Sequence, residues 1–212
     1  AAELLCRQLA EQGVEQIQVQ PVYLLEGIGW QRLCKHLPSA AALYGIHAVV
    51  GTPLLHSGND YALLGQLCMQ AAEVYKADAL VCVGHGTVDN LPYQRLETVM
   101  RKPVQSRKYG DISKLQEICV VTLQEWENNR ISAKLQEANV KNICLIPLMM
   151  AAGKHTREDI CGEGRASVKA GLEEAGFSVE IDRMGLTEYP EVRELLIEHL
   201  KGIDDKYGNF VH

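Results

Sequence analysis

Apolar and polar positions follow two different periods along the chain. Short runs of Val, Ile and Leu are separated by longer stretches in which apolar residues recur at helical spacing. Strands that are buried on both faces between crossover helices produce this pattern, so the sequence predicts an α/β fold with parallel sheets. The predicted helices are Ala2–Gln12, Trp30–Leu37, Asp60–Tyr75, Pro92–Met100, Asn128–Ala138, Ser167–Ala175 and Pro190–Leu200. The predicted strands are Ile17–Leu25, Ile46–Val50, Ala79–Gly84, Ile118–Thr122, Ile143–Met149 and Val179–Asp182.

Local signals support several of these boundaries. Ser57 stands three residues before Asp60, which is typical of a capping box at a helix start. Gly176 follows a predicted helix and favours its termination there. The stretch from Arg101 to Asp111 is rich in Lys, Arg, Ser, Gly and Pro, and we expect a solvated surface loop.

An internal repeat indicates that the chain is built from two related halves. Residues 9–27 and 135–153 align without gaps at an offset of 126, since 147 − 21 = 126. The matched pairs are Leu9 with Leu135, Glu11 with Glu137, Val14 with Val140, Ile17 with Ile143, Pro21 with Pro147 and Gly27 with Gly153. The alternative is that any two βα segments look alike to this degree.

The repeat predicts two pseudo-symmetric α/β halves, residues 1–76 and 77–212. Subtracting 126 from 85 gives −41, so the strand before His85 has no counterpart in the first half. We therefore expect the first half to be incomplete at its N-terminus: either this chain is a fragment, or those strands come from elsewhere.

Composition and charge narrow the classes of partner. The chain has 21 Lys and Arg against 27 Asp and Glu, a net charge of −6, which argues against nucleic acid. No apolar run is long enough to span a membrane, and no signal-peptide pattern is present, so we expect a cytoplasmic protein. Seven scattered cysteines without a CxxC pair predict reduced, buried thiols.

Two histidines follow the ends of predicted strands. His85 comes directly after Ala79–Gly84, and His155 follows Ile143–Met149 after a short turn. Because ligands of parallel α/β sheets collect beyond the carboxyl ends of strands, both imidazoles are predicted at one rim. Together they can ligate one divalent transition metal and leave positions open for a substrate. For either histidine, a hydrogen-bonded surface or hinge role is the alternative.

Other chemistries lack a motif. Neither GxGxxG nor GxxxxGK[ST] occurs, which disfavours nucleotide-dependent chemistry. No GxSxG is present and no cysteine lies in a strand-to-helix elbow beside a histidine, which disfavours a nucleophilic hydrolase.

Four segments resemble the class II tetrapyrrole chelatases, most closely the anaerobic cobalt chelatases that insert Co²⁺ into sirohydrochlorin in cobalamin biosynthesis. The similarity covers nearly the whole chain. Its segments are Gly84-His85-Gly86-Thr87, the run PLMMAAGKH over 147–155, the run GTPLL over 51–55 followed by Asn59-Asp60-Tyr61, and Gly185-Leu186 with Pro190, Arg193, His199 and Leu200. The run that ends at His155 is the most specific of them.

The resemblance implies an ATP-independent lyase with a tetrapyrrole substrate. It implies that His85 and His155 hold the metal and accept pyrrole protons, with Glu125 as a third ligand. Gly86, Thr87, Tyr23 and Lys154 are the expected substrate-binding residues, and Arg157 is a further candidate for substrate carboxylates. Co²⁺ is the expected metal, although Ni²⁺ and Fe²⁺ also accept imidazole, and the sequence leaves a homo-oligomer open.

The chain also departs from the family pattern. An acidic residue of the first half is replaced by Gly29, which the repeat pairs with His155. Tyr23 stands where the family usually has histidine, and the segment that carries the family's glutamate ligand reads TLQEWE over 122–127. Depending on a one-residue shift of the alignment, the ligand position falls on Leu123, Gln124 or Glu125, of which only Glu125 could serve. Two rival hypotheses follow: a metal- or tetrapyrrole-binding protein without turnover, and a truncated copy without function.

Overall fold

The computed structural model describes residues 2–87, 90–106, 114–126 and 128–207. Its helices are α1 Ala2–Glu11, α2 Ile28–Ala42, α3 Gly58–Val74, α4 Leu91–Ser106, α5 Asn128–Glu137, α6 Val168–Glu174 and α7 Pro190–Tyr207. Its strands are β1 Gln16–Val19, β2 His47–Val50, β3 Ala79–Gly84, β4 Glu117–Thr122, β5 Asn142–Leu148 and β6 Ser178–Ile181. A π-helix covers His155–Ile160 and a 3₁₀ turn covers Leu186–Glu188. The predicted α/β class is confirmed.

The chain forms two compact units. The first contains residues 1–56 and 190–212, and the second contains residues 57–189. The sequence places the boundary between the halves at 76/77, whereas the compact units are divided after residues 56 and 189. The division into duplicated halves stays a prediction. Within the described residues, no helix combines the length and the apolar character that a bilayer crossing needs.

A four-stranded parallel sheet organises the second unit, in the order β4-β3-β5-β6. All six residues of β3 are buried, because helices cover both faces of this central strand. One core cluster places Val81, Val83 and Leu145 against Leu135 of α5 and Leu172 of α6. The register aligns Gly84 at the end of β3 with Leu148 at the end of β5, so the segments that follow leave the sheet at one edge.

The first unit contains a two-stranded parallel sheet of β1 and β2. Its core packs Cys6 of α1 against Leu37 and Ala41 of α2 and Ala48 of β2. The alternating burial of β1 fits a strand with one covered face.

Element bounds recur at the offset of the sequence repeat. Helices α1 and α5 start at residues 2 and 128 and end at 11 and 137, and strands β1 and β5 start at 16 and 142, so each pair differs by 126. Each repeated strand also pairs in parallel with the next strand along the chain, β1 with β2 and β5 with β6. The repeated residues therefore form the same helix-strand arrangement in each unit.

Three predicted boundaries are wrong, each for a local reason. Strand β1 ends at Val19 and not at Leu25, because Pro21 has no N–H and the Gln20 side chain instead donates to the Thr52 carbonyl at 2.7 Å. Helix α2 continues through Pro38 to Ala42, where its last turn is buried in the core.

The third wrong boundary lies in α4, which continues to Ser106, so Arg101 is helical and not part of a surface loop. The Arg101 guanidinium binds Glu97 within α4 and also Glu117 and the Ile118 carbonyl of β4. Residues 107–111 of the predicted loop lie outside the described residues.

The predicted helix start at Ser57 is confirmed: its hydroxyl accepts the Asp60 N–H, and the Asp60 carboxylate accepts the Ser57 N–H at 2.5 Å. Gly176 follows α6 at φ +94°, as expected of a helix stop. All seven cysteines are free thiols, and six of them are buried.

Candidate active site

Two imidazoles meet beyond the carboxyl ends of neighbouring strands. His85 directly follows β3, and His155 opens the π-helix a few residues after β5. Their ring centroids are 4.8 Å apart and the rings are inclined at 74°. The structure therefore brings together the two histidines that the sequence singles out.

This spacing suits a shared cation. A metal bound by an imidazole nitrogen at about 2.1 Å lies about 3.2 Å from the ring centroid. Two imidazoles at adjacent positions of a tetrahedral or octahedral ion then have centroids about 4.5–5.2 Å apart. The 4.8 Å between His85 and His155 lies in that range. A cation can therefore contact both rings and keep other coordination positions for a substrate.

The turn that carries His85 is built from glycines in tight surroundings. A Cβ on Gly84 would fall on the ring of Tyr93. Gly86 has φ +101°, and a Cβ there would lie 2.8 Å from Cδ of Gln124. After the turn, the Thr87 N–H donates to the Asn90 side chain at 3.3 Å. The His85 backbone is therefore held from both sides.

Tyr93 lies beneath this turn on α4. Its ring is buried, and burial raises the pKa of the Tyr93 phenol, while a hydrogen bond with the Gly86 backbone opposes that change. The phenol thus stays neutral and serves as a rigid support for the His85 segment.

His155 lies on an exposed face of the π-helix. Its Nδ1 is 2.6 Å from an Oδ2 of Asp159, one helical turn later. Between these residues, Thr156 and Ile160 point into the protein and are buried. The Cys161 N–H donates to the Thr156 carbonyl at 2.9 Å, the five-residue spacing that defines a π-helix. Gly162 closes this helix, since a Cβ there would meet the backbone carbonyl of Glu158.

Glu125 is not placed with the two histidines. Its carboxylate accepts a hydrogen bond from the Thr122 hydroxyl at 3.2 Å, and the Glu125 N–H donates to the oxygen of that hydroxyl at 3.3 Å. Throughout the described ranges, no three His, Cys, Asp or Glu side chains are grouped so that they could hold one metal ion. The Gln124 side chain lies beside Gly86, where an added Cβ would be 2.8 Å from its Cδ.

A cavity of about 560 Å³ extends from Gln124 along the outer edge of β4. Glu97, Glu125, Arg130 and Lys134 are the charged residues of its lining. Glu97 accepts the Val120 N–H at 2.9 Å, so it protects the exposed edge of the strand. The cavity thus carries both signs of charge, and neither His85 nor His155 is among its lining residues.

The remaining predicted residues have different settings. Lys154 is exposed, with Nζ 3.8 Å from a Glu158 carboxylate oxygen, a spacing that contributes little binding energy and leaves the ammonium free to pair elsewhere. Arg157 is exposed on the same segment. Tyr23 lies in the first unit, and its ring fills the space beside Gly29, where a Cβ would be 3.2 Å from the ring. Gly29 thus allows the Tyr23 ring to pack on α2.

Sequence reasoning missed Asp159 and Tyr93, and it considered Gln124 only as an alignment alternative to Glu125. An HxxxD spacing over 155–159 was available as a signal for Asp159, because residues four apart share a helical face. No local pattern marks Tyr93 or Gln124, whose roles depend on the approach of α4 and the β4 turn to the His85 segment.

Comparison with known proteins assigns most of the chain to one family. The family model described as cobalt chelatase (CbiK) matches residues 2–204. A sirohydrochlorin cobaltochelatase of Salmonella typhimurium is 25% identical over 197 residues, covering 92% of this chain and 70% of that protein. The sirohydrochlorin cobaltochelatase CbiKC of Nitratidesulfovibrio vulgaris is 26% identical over 192 residues, covering 87% of this chain and 64% of that protein.

Solved structures share the fold. SirB from Bacillus subtilis with Fe³⁺ has a TM-score of 0.64 at 13% identity, covering 98% of this chain and 79% of that chain. CbiX, described as the terminal enzyme of siroheme biosynthesis in denitrifying bacteria, has a TM-score of 0.59 at 18% identity and covers 91% of this chain and 78% of that chain. The parallel α/β architecture is therefore that of the chelatase structures.

Proposed function

We propose that this chain, which belongs to the cobalt chelatase (CbiK) family, inserts a divalent metal ion into sirohydrochlorin, with Co²⁺ as its metal. Family membership makes it a chelatase-type enzyme, a lyase. The observation that carries the proposal is the pair of imidazoles, 4.8 Å apart, at the ends of two adjacent parallel strands.

The histidine pair supplies both functions that insertion requires. A neutral imidazole nitrogen offers one lone pair, which coordinates the metal first. As the ion passes to the pyrrole nitrogens, that lone pair is released and can accept a pyrrole proton. Two pyrrole N–H bonds break for each divalent ion inserted, so His85 and His155 together can take both protons. The four new metal–nitrogen bonds supply the driving force, and no nucleotide is needed.

Substrate carboxylates need cationic partners at the same rim. Lys154 is adjacent to His155 and Arg157 follows two residues later, both exposed. We assign them to the acidic side chains of the tetrapyrrole. Gly86 and Thr87 allow the backbone to approach the tetrapyrrole ring without a bulky side chain. Tyr23 stays a proposed substrate contact, and Glu125 stays a proposed metal ligand.

The metallation reaction itself tests this function. Co²⁺ is added to sirohydrochlorin with catalytic protein, and the absorbance band of the metallated product is followed. The wild-type chain is expected to accelerate product formation, and His85→Ala and His155→Ala are expected to lose the acceleration. His36→Ala, which removes an exposed histidine of α2, is the matched control and keeps full activity. Acceleration that survives in both site variants contradicts the assignment of His85 and His155 to metal insertion. Parallel assays with Ni²⁺ and Fe²⁺ show which metal ion the protein inserts fastest.

A second candidate is a protein that binds the metal or the tetrapyrrole without converting them. It is favoured by one observation: in the part of the chain that the structure describes, no third acidic or thiol ligand joins the histidines. Tight binding of Co²⁺ and sirohydrochlorin without product formation selects this candidate. Failure to bind either ligand selects a copy without function.

A further inference from the structure

Asp159 is the charged group in closest contact with His155. Its Oδ2 lies 2.6 Å from the imidazole Nδ1, and the two side chains are about half exposed, at 53% for the histidine and 48% for the aspartate. The neighbouring ion pair joins Lys154, just before the π-helix, to Glu158 within it, and at 3.8 Å it is far looser. The close contact is therefore specific to one carboxylate.

The contact determines which imidazole nitrogen is available. An ionised carboxylate only accepts hydrogen bonds, and a neutral imidazole carries its proton on one nitrogen. The short distance to Asp159 thus requires Nδ1 to carry the proton and leaves the lone pair on Nε2. Free imidazole side chains distribute the proton over both nitrogens, so the carboxylate selects one form.

The π-helix holds the two side chains in this relation. His155 and Asp159 lie on its exposed face, whereas Thr156 and Ile160 anchor the opposite face in the core, at 2% and 0% exposure. Gly162 permits the wide turn because no Cβ blocks the Glu158 carbonyl. The rotation of the His155 ring is therefore limited by the backbone and by the hydrogen bond together.

We propose that Asp159 is a positioning residue that fixes the Nδ1–H form of His155 and presents Nε2 to the cation shared with His85. This inference rests on the proposed function of the histidine pair. Outer carboxylates that orient a metal-binding histidine in this way typically contribute about 10–100-fold in metal affinity. Asp159 itself does not touch the metal or the tetrapyrrole.

Two measurements on the full chain test the inference. Long-range ¹H–¹⁵N NMR of the metal-free protein, near pH 8 where ordinary imidazole is neutral, reports which nitrogen of His155 carries the proton. Titration with Co²⁺ alone gives the affinity. The wild type is expected to show the Nδ1–H form. Asp159→Ala is expected to move the proton toward Nε2 and to weaken Co²⁺ binding about 10–100-fold.

Matched variants separate positioning from general damage. Glu158→Ala removes the neighbouring carboxylate and is expected to leave the proton position and the Co²⁺ affinity unchanged. Asp159→Glu retains a carboxylate and is expected to restore part of both. If Asp159→Ala does not fold, Asp159→Asn, of the same shape, is expected to weaken Co²⁺ binding severalfold. A wild-type Nε2–H form, or an Asp159 variant with unchanged proton position and affinity, overturns the inference.

The outcomes also separate this inference from the proposed function. Unchanged NMR and affinity in Asp159→Ala, with normal metallation by the wild type, refute the positioning role alone. If Asp159→Ala shows the predicted changes but the wild type binds Co²⁺ without metallating sirohydrochlorin, the enzyme activity is refuted and the positioning role is kept.

Discussion

Replacing Gly86 with alanine tests whether the backbone next to His85 is fixed by its surroundings. Gly86 has φ +101°, a conformation that residues with a Cβ rarely adopt. A Cβ would also lie 2.8 Å from Cδ and 2.9 Å from Oε1 of Gln124. Those atoms end a flexible side chain and can rotate away, so the backbone strain is the cost that remains.

The expected loss of stability follows from that strain. A non-glycine residue held in such a region costs about 1–3 kcal/mol. For a chain of this size, each kcal/mol lowers Tm by about 2–4 °C, so Gly86→Ala is expected to melt about 2–12 °C below the wild type. Relief of the strain moves the adjacent imidazole, and the Co²⁺ affinity is expected to fall about tenfold.

Gly176→Ala is the matched control for this experiment. Gly176 has a similar φ of +94°, but a Cβ there meets no atom within 4 Å, and the residue ends α6 away from the histidines. Thermal unfolding and Co²⁺ titration are measured on both variants. We expect a similar loss of Tm and an unchanged affinity for Gly176→Ala. A Gly86→Ala protein with wild-type Tm and affinity, or equal affinity losses in both variants, refutes the reasoning.

Three further predictions concern the π-helix, a buried thiol and the sheet edge. Gly162→Ala is expected to disrupt the π-helix, because its Cβ meets the Glu158 carbonyl, and to weaken Co²⁺ binding; unchanged Co²⁺ titration contradicts this. Burial raises the pKa of Cys119 from 9.0 to about 11, so its stabilisation is complete below pH 9 and is lost as pH rises toward 11. The unfolding free energy of Cys119→Ala, measured in urea, should therefore fall less steeply than that of the wild type between pH 9 and pH 11, by about 1.4 kcal/mol per pH unit. An identical pH slope in the two proteins counts against this prediction. Arg101→Met removes the hydrogen bond to the Ile118 carbonyl and is expected to cost about 1–3 kcal/mol in the same urea assay, and an unchanged midpoint would exclude that role.

The central sheet could be predicted from the sequence because its strands are buried on both faces. The run Ala79–Gly84 has the same bounds in the sequence and in the structure, since all six of its residues are buried and none needs to be polar. The approach of His85 and His155 also followed from the sequence, because parallel strands end at a common edge. Their centroid distance of 4.8 Å agrees with that expectation.

Elements governed by tertiary contacts could not be predicted. Proline normally ends a helix, yet α2 passes through Pro38 because Ala40 and Ala41 beyond it are buried in the core of the first unit. The π-helix after β5 has no sequence pattern of its own, since it depends on the closure at Gly162.

The acidic part of the site shows the same limit. Sequence similarity places the third ligand on Leu123, Gln124 or Glu125, and only Glu125 of these has a carboxylate that could serve. The structure turns Glu125 back onto Thr122 and places Gln124 against Gly86. Which atom would complete the proposed metal site depends on contacts between β4 and the His85 turn that no local pattern encodes.

X-ray absorption spectroscopy of the one-to-one Co²⁺ complex tests most directly whether the two histidines share a cation. The wild-type spectrum is expected to contain outer-shell scattering from two imidazoles, and His85→Ala and His155→Ala are each expected to show one. A wild-type complex without imidazole scattering, or two imidazoles that persist in either variant, would contradict the assignment of this site.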